Sequence, residues 1–221
     1  MKVALLVCDK VNPKLIGRFG DYPEMFKEFL PSLELHSFDA YKGEFPAIND
    51  FDNFICTGSK HSVYENLVWV KELIDLVKNI HELGKKYFGV CFGHQILGKA
   101  LGSEVSLSTS EYLIGVHEFN LVANTSQQFN MLMMCQDQVK NLPESAELLA
   151  SNKVCPVGMF RSRNAIGIQG HPEFSKDYNL ALAQLREEKI GNDTIEKAKA
   201  SFSQDPSSTQ MRKWIYELFN D

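Results

Sequence analysis

Short apolar runs alternate with segments of helical periodicity through the first half of the chain. The apolar runs predict buried strands at residues 3–7, 33–38, 54–56 and 87–90. Apolar residues spaced three or four apart predict helices at 22–30, from residue 67 to a capping glycine at 84, and at 95–101. Strands that alternate with helices in this way pair in parallel, because each crossover helix covers a face of the sheet. We therefore predict an α/β fold with an open, mostly parallel twisted sheet and helices on both faces.

The middle of the chain, from about residue 104 to residue 168, changes character. Its apolar runs predict strands at 114–122, 131–135, 147–150, 154–160 and 165–169. We expect these runs to form a smaller, partly antiparallel strand region. From Lys176 the pattern is helical, and the apolar residues of the last helix are expected to pack on the core. Because we find no repeat, linker or low-complexity segment, residues 1–221 are predicted to form a single domain with the helices at about 176–221 packed on it.

Composition limits the partners and the compartment of the protein. Hydrophobic residues make up 44% of the 221 positions, and the formal net charge is −5 without a block of like charges. Nucleic acids and anionic membranes bind concentrated basic surfaces, so neither is expected as a partner. The five cysteines are scattered and form no C-x-x-C pair, which favours a reducing compartment over a disulfide framework or a zinc site. The first apolar run is too short for a signal peptide or a membrane span, so a cytoplasmic protein is expected.

A cysteine lies between a predicted strand and a predicted helix, in the segment Gly89-Val90-Cys91-Phe92-Gly93. The form G-x-C-x-G is that of a nucleophile elbow with sulfur in place of the serine oxygen. In such a turn the backbone of the nucleophile is strained, and the flanking glycines avoid clashes of Cβ atoms. The thiol then lies at a helix N-terminus, which favours the thiolate. Cys91 is therefore the predicted nucleophile, and a buried structural cysteine is the alternative.

Two turns at strand ends are predicted to supply an oxyanion hole, the pair of N–H groups that binds the negative oxygen formed in acyl transfer. One N–H group belongs to Phe92, directly after the cysteine. The other belongs to Gly58 or Ser59, in the turn after the predicted strand at 54–56. An ordinary loop is the alternative for this second turn.

The segment Gly170-His171-Pro172-Glu173 offers a base for the cysteine. Proline disfavours the helical region for the residue before it, so His171 is predicted to be extended. Residues two apart in an extended segment lie on the same side, which would bring the Glu173 carboxylate to the imidazole. We therefore predict a catalytic triad of Cys91, His171 and Glu173, with a structural turn as the alternative.

The other histidines divide into two groups. His36, His81 and His117 lie in predicted strands or at a helix end, where surface or structural roles are expected. His61 follows the candidate oxyanion turn and His94 follows the elbow cysteine. Contact with a substrate stays open for these two.

Three segments together resemble the class I (triad-type) glutamine amidotransferases: Val90 to Gln95, Gly170 to Glu173, and Thr57 to Glu65. The resemblance is to the stand-alone branch, which includes γ-glutamyl peptidases and fungal amidotransferase-like proteins, and it covers about residues 1–180. It implies the flavodoxin-like fold of that family. It also implies hydrolysis of a γ-glutamyl amide bond through a γ-glutamyl thioester, with no metal and no cofactor.

The resemblance also implies substrate-binding residues, and the sequence departs from the family pattern twice. By likeness, Gln95 would help to hold the glutamyl group, and the region around Asp137 would line the pocket near its α-amino and α-carboxylate groups. Ser59 stands where the family often has a second glycine in the oxyanion turn. Cys135 stands where the similar proteins usually carry histidine before Gln-Asp. The change at position 135 bears on substrate choice and not on the triad.

Two fates of the released amine stay open. True amidotransferases pass ammonia to a synthetase domain or subunit, but neither G-x-x-x-x-G-K-[ST] nor G-x-G-x-x-G occurs in this sequence. The prediction is therefore a self-sufficient hydrolase of a small γ-glutamyl substrate, either glutamine or a γ-glutamyl peptide. A glutaminase subunit that serves a separate synthetase is the first alternative. A non-catalytic binding or regulatory protein and a redox-sensing Cys91 are the others.

Overall fold

The structure is a computed structural model that describes residues 1–108, 112–122, 124–144 and 146–220, with the backbone alone at 124–126. Its strands are β1 (Lys2–Leu6), β2 (Glu34–Phe38), β3 (Asn53–Cys56), β4 (Lys86–Val90), β5 (Val105–Leu107), β6 (Leu113–Leu121), β7 (Asn124–Cys135), β8 (Asp137–Val139), β9 (Glu147–Ser151), β10 (Met159–Ser162) and β11 (Ala165–Ile168). Its α-helices are α1 (Pro13–Phe19), α2 (Tyr22–Phe29), α3 (Val68–Glu82), α4 (Phe92–Ala100), α5 (Lys176–Leu185), α6 (Glu187–Ile190), α7 (Asn192–Ser201) and α8 (Ser208–Asn220). Short 3₁₀ helices at Ala40–Lys42 and Ile48–Asp50 lie between β2 and β3.

In the described part of the chain, nine strands form one sheet in the order β2-β1-β3-β4-β11-β10-β9-β6-β7. The pairs from β2 to β11 are parallel, and those from β11 to β7 are antiparallel. The parallel half has the strand order of flavodoxin-like, doubly wound sheets. Strands β5 and β8 form a separate antiparallel pair. The predicted α/β fold is confirmed, and most of the antiparallel strands continue the main sheet.

Both faces of the parallel half are buried. Along β1, Val3 and Leu5 belong to one apolar core, while Ala4 and Leu6 belong to the other. This alternation follows from the two-residue period of a strand. Helices α2, α5, α7 and α8 contribute to the first core, and α3 and α4 contribute to the second. The prediction of helices on both faces is confirmed.

The segment before β10 differs from the prediction, since the sequence predicts a strand at 154–160 and β10 covers only the end of that range. The Asn152 side chain accepts hydrogen bonds from the N–H groups of Val154 (3.0 Å) and Cys155 (2.7 Å). Pro156 has no N–H group to offer a neighbouring strand. A turn organised by one side chain therefore replaces the first part of the predicted strand.

The last helix packs on the core, as the apolar residues near the C-terminus predict. Ile215 and Phe219 of α8 are buried in the same apolar core as Val3 and Leu5. The single domain over residues 1–221 stays a prediction. Among the residues that the structure describes, no helix has both the length and the apolar character needed to cross a membrane. The cytoplasmic compartment stays a prediction.

Candidate active site

The carboxyl ends of neighbouring parallel strands bring the predicted site residues together. Cys91 follows β4, and its N–H donates to the carbonyl oxygen of Ile168 at the end of β11 (2.8 Å). His171 lies just beyond β11, and Gly58 lies just beyond β3 on the other side of β4. In doubly wound sheets, ligands bind in the crevice at this edge. Residues that are far apart in the sequence therefore meet at one end of the sheet.

The turn around Cys91 has the strained geometry expected of an elbow. Cys91 has a φ of 50° and a ψ of −98°, a conformation that residues with side chains rarely adopt. A Cβ atom on Gly93 would lie 2.4 Å from the carbonyl oxygen of Cys56, and one on Gly89 would lie 2.5 Å from the carbonyl group of Gly93. Close backbone approach therefore requires both glycines of the G-x-C-x-G pattern.

Cys91, His171 and Glu173 form one connected and buried group. The Nδ1 atom of His171 lies 2.8 Å from a carboxylate oxygen of Glu173, and the imidazole lies close enough to Cys91 for the cysteine to raise its pKa. A Cβ atom on Gly58 would lie 2.7 Å from Cε1 of His171, so a side chain at position 58 would clash with the imidazole ring. Phe174 stacks on the imidazole with ring centroids 4.0 Å apart. These contacts fix the imidazole between a thiol and a carboxylate.

Burial and charge act in opposite directions on His171. Burial by itself lowers the pKa of the imidazole, but the charge of Glu173, the nearby Cys91 and the hydrogen bond to Glu173 raise that pKa to about 10. The second carboxylate oxygen of Glu173 is buried and has no hydrogen-bond partner among the described residues. The buried negative charge is therefore balanced mainly by a proton on His171.

The segment His171-Pro172-Glu173 is a turn and not the extended segment that the sequence predicts. The N–H of Phe174 donates to the carbonyl oxygen of His171 (3.4 Å), which closes a turn over Pro172 and Glu173. Proline at the second position of a turn presets the φ angle that the turn needs. The predicted contact between Glu173 and His171 is present, but it forms because the turn folds the carboxylate back toward the imidazole.

The N–H groups predicted for the oxyanion hole are those of Gly58, Ser59 and Phe92. None of them donates a hydrogen bond to a described residue. Ser59 does not have a positive φ angle, so a serine adopts this turn without the strain that glycine would relieve. Its hydroxyl donates to the carbonyl oxygen of Cys8 (2.9 Å), which ties the turn to the end of β1. The turn therefore keeps its N–H groups available to a ligand.

A cavity of about 140 Å³ has Cys91 on its wall. The loop after β3, helix α4, the junction of β7 and β8, and the end of α5 supply most of the other lining residues. The predicted substrate-binding residues Gln95 and Asp137 both line this cavity, whereas His171 and Glu173 are buried and do not. Cys91 is thus the member of the connected group that lines the cavity.

Gln95 and Asp137 already have partners within the protein. The Nε2 atom of Gln95 donates to the carbonyl oxygen of Asp137 (2.8 Å) and to Oε1 of Gln169 (3.3 Å). The Asp137 carboxylate accepts hydrogen bonds from the hydroxyl groups of Ser62 and Tyr64. These contacts hold both side chains in place at the cavity wall. Their roles toward a substrate stay predictions.

The part of the chain that contains this site matches a known protein family. The model of the family described as Glutamine amidotransferase class-I matches residues 33–180, which is more than half of the chain. The chain belongs to this family. The match spans the elbow cysteine, the oxyanion turn and the His-Pro-Glu segment.

Individual class I glutamine amidotransferases and their relatives support the assignment. A glutamine amidotransferase-like protein of Schizosaccharomyces pombe is 31% identical over 231 residues, which cover 93% of this chain and 92% of the relative. Gamma-glutamyl peptidase 4 of Arabidopsis thaliana is 30% identical over 176 residues, which cover 72% of this chain and 70% of the relative. The crystal structure of a glutamine amidotransferase from Thermotoga maritima has a TM-score of 0.73 at 18% identity, covering 99% of this chain and 94% of that one, and shows the shared fold. The predicted resemblance is confirmed.

Gln169 is a further residue of the candidate site, and the sequence does not predict it. Its Nε2 atom donates to Sγ of Cys91 (3.5 Å), while its Oε1 atom accepts from Gln95. The bond from Gln95 assigns the orientation of the amide, so the N–H end faces the sulfur. Gln169 is fully buried directly after β11. The sequence signal that could have identified Gln169 is a polar residue directly after a buried apolar strand.

Cys135, which stands where similar members of the family usually carry histidine, lies on the cavity wall. Burial raises the pKa of its thiol well above the usual value, and the proximity of Cys91 and Cys155 raises it further. We therefore expect Cys135 to stay a neutral thiol. The cavity has a small, weakly polar wall here instead of a second imidazole.

The two histidines left open by the sequence have different positions in the amidotransferase fold. His61 lines the cavity, and its Nδ1 atom lies 2.8 Å from a carboxylate oxygen of Glu65. His94 is fully buried in α4 with its ring 5.0 Å from that of Phe160, and burial lowers its pKa to about 4. His94 does not line the cavity, so it packs as a neutral core residue.

Proposed function

We propose that the protein hydrolyses a γ-glutamyl amide bond, with Cys91 as the nucleophile. His171 acts as general acid and base, and Glu173 orients the imidazole and keeps it charged. The observation that carries the proposal is the connected thiol, imidazole and carboxylate, with the sulfur facing a cavity. The likeness to a γ-glutamyl peptidase supports γ-glutamyl compounds as the substrate class.

The first half of the reaction forms a thioester. The Cys91 thiolate attacks the γ-carbonyl carbon, and the carbonyl π electrons move to the oxygen. The N–H groups of Phe92 and of Gly58 or Ser59 bind this oxyanion. The C–N bond then breaks, and the proton held by His171 goes to the departing nitrogen. The amine leaves, and the glutamyl group stays on the sulfur.

The second half of the reaction releases the glutamyl group. His171, now neutral, accepts a proton from a water molecule whose oxygen attacks the thioester carbon. The C–S bond breaks, glutamate leaves, and the thiolate forms again beside the protonated imidazole. Because burial and Glu173 fix the imidazole, the same ring serves both halves without moving.

The glutamyl end of the substrate lies against the wall that contains Asp137. Each oxygen of that carboxylate accepts one hydrogen bond, from Ser62 or Tyr64, and retains a further lone pair. A positively charged α-amino group is the natural partner for those lone pairs. Gln95 acts on the substrate side mainly by holding Asp137 and Gln169 in place.

The test of this function is a panel of substrates. Glutamine and several γ-glutamyl dipeptides are incubated with the protein, and release of glutamate is measured. We expect release from at least one γ-glutamyl compound, and a glutamyl adduct on Cys91 in protein quenched in acid and analysed by mass spectrometry. Release of no glutamate from any of them, or turnover without an adduct on any cysteine, would contradict the proposal.

Gln169 is expected to act as a positioning residue for the sulfur. Replacing it with leucine removes the N–H group that contacts Sγ, and we expect the rate of Cys91 alkylation at neutral pH and kcat/KM to fall about tenfold. Alkylation is followed by peptide mass spectrometry, which separates Cys91 from the other cysteines. Gln138→Leu is the matched control, because Gln138 is also buried but donates to the carbonyl oxygen of Val154. Equal alkylation rates in the two variants would exclude this role.

A further inference from the structure

A second cavity, of about 400 Å³, adjoins the one that contains Cys91. The two cavities share Lys60, His61, Tyr112 and Arg186 as wall residues. The reactive sulfur lines only the smaller cavity. A substrate whose acyl carbon lies at Cys91 therefore has space for a larger group on the far side of its scissile bond.

Cationic side chains dominate the wall of the outer cavity. Lys60 is already paired with Asp9 (2.7 Å), but the guanidinium of Arg186 and the ammonium of Lys189 form no hydrogen bond or ion pair with a described residue. Glu188 is the acidic residue of the same wall. Among the described wall residues, two cations that form no hydrogen bond or ion pair thus outnumber one carboxylate, which gives this cavity a net attraction for an anion.

We propose that the outer cavity is a binding site for the carboxylate of the leaving group. This inference rests on the proposed γ-glutamyl hydrolysis, which puts the glutamyl end in the inner cavity and the departing amine in the outer one. An arginine fork at the boundary matches a carboxylate with two parallel hydrogen bonds. The substrates are then γ-glutamyl amino acids or peptides with a free C-terminal carboxylate. Glutamine gains nothing from this site, because its leaving group is ammonia.

The alternative partner for Arg186 is the α-carboxylate of the glutamyl group itself. The position of Lys189 argues against it, since Lys189 lines the outer cavity and not the inner one. Two cations that share the outer cavity suit an anion beyond the scissile bond. An experiment can separate the two carboxylates. The α-carboxylate is present in every γ-glutamyl substrate, whereas the carboxylate of the leaving group can be replaced.

The experiment compares γ-glutamyl-alanine with γ-glutamyl-alaninamide, which differ only in the charge of the C-terminal group. We expect the wild type to prefer the acid by about tenfold in kcat/KM at low ionic strength. We expect Arg186→Gln to reduce that ratio to near one, Arg186→Lys to retain part of it, and Lys189→Gln to lower it by a smaller factor. Removal of the opposing charge in Glu188→Gln is expected to raise the ratio. Added salt is expected to lower it in the wild type.

Arg18→Gln is the matched control, because Arg18 is an exposed arginine that pairs with Asp177 on the surface. We expect this variant to keep the wild-type ratio. A wild-type ratio near one, or a ratio that Arg186→Gln leaves intact, overturns the proposed site. Equal losses for the acid and the amide in Arg186→Gln assign the arginine to the glutamyl end and also overturn it. Hydrolysis of neither compound while glutamine is hydrolysed would overturn the site alone, whereas release of glutamate from none of the three would refute the proposed γ-glutamyl hydrolysis and the site with it.

Discussion

Replacing Cys91 with alanine is expected to reduce the hydrolysis of γ-glutamyl substrates by at least about 10⁴-fold. In the proposed mechanism the sulfur forms the thioester, so without it the N–H groups and the imidazole have no nucleophile to assist. The measurement is kcat/KM from glutamate release with the best substrate of the panel. Circular dichroism and thermal unfolding check that the variant folds, which we expect because alanine loses only one atom from a strained turn.

Cys155→Ala is the matched control for the loss of a buried thiol. Cys155 is as buried as Cys91 but does not line the cavity. Burial, with the nearby Cys91, raises the pKa of Cys155 to about 12, so it stays an unreactive thiol. We expect this variant to keep wild-type activity within a small factor. A Cys91→Ala protein that releases glutamate as fast as the wild type would end the proposed mechanism.

Replacing Glu173 with glutamine is expected to lower kcat/KM by about 10²- to 10⁴-fold. Glutamine retains the size of the side chain but removes the charge that opposes the effect of burial on His171. Burial then dominates, and the pKa of the imidazole falls from about 10. The imidazolium that protonates the leaving amine is therefore lost at a lower pH. The measurement is the pH profile of kcat/KM, whose alkaline limb is expected to move to lower pH in the variant.

The matched control for this charge is Glu196→Gln on the exposed surface of α7, where the carboxylate pairs with Lys199. It is expected to leave the alkaline limb in place.

The ion pair of His171 and Glu173 also predicts how the stability of the protein varies with pH, because the pKa of His171 is raised in the folded state from its ordinary value of 6.5. Its contribution is complete below pH 6.5 and is lost as the pH rises through about 10. An alkaline limb at the same pH in Glu173→Gln and in the wild type would contradict the assigned role.

The parallel half of the fold and the local form of the site were predictable from the sequence. Strand and helix periods depend on side chains a few residues apart, so β1, β3, β4 and α3 follow directly from the apolar pattern. The elbow follows from the pattern Gly89, Cys91 and Gly93, in which the clash that requires Gly89 is local, whereas the one that requires Gly93 is with Cys56 on the neighbouring strand β3. The strand predicted at 154–160 failed because one side chain, Asn152, competes locally for the backbone N–H groups.

The sequence alone determined which residue types were present for chemistry: a cysteine at an elbow, a histidine followed by proline and glutamate, and a turn rich in N–H groups. Only the tertiary structure decided which of these residues are in contact with one another. The order β3-β4-β11 places Gly58 against His171 and the Gln169 amide against the sulfur, and the end of α5 places Arg186 between two cavities. The physical reason is that neighbours across a sheet are chosen by pairing and packing summed over the whole core, whereas periodicity fixes only the face on which each side chain lies.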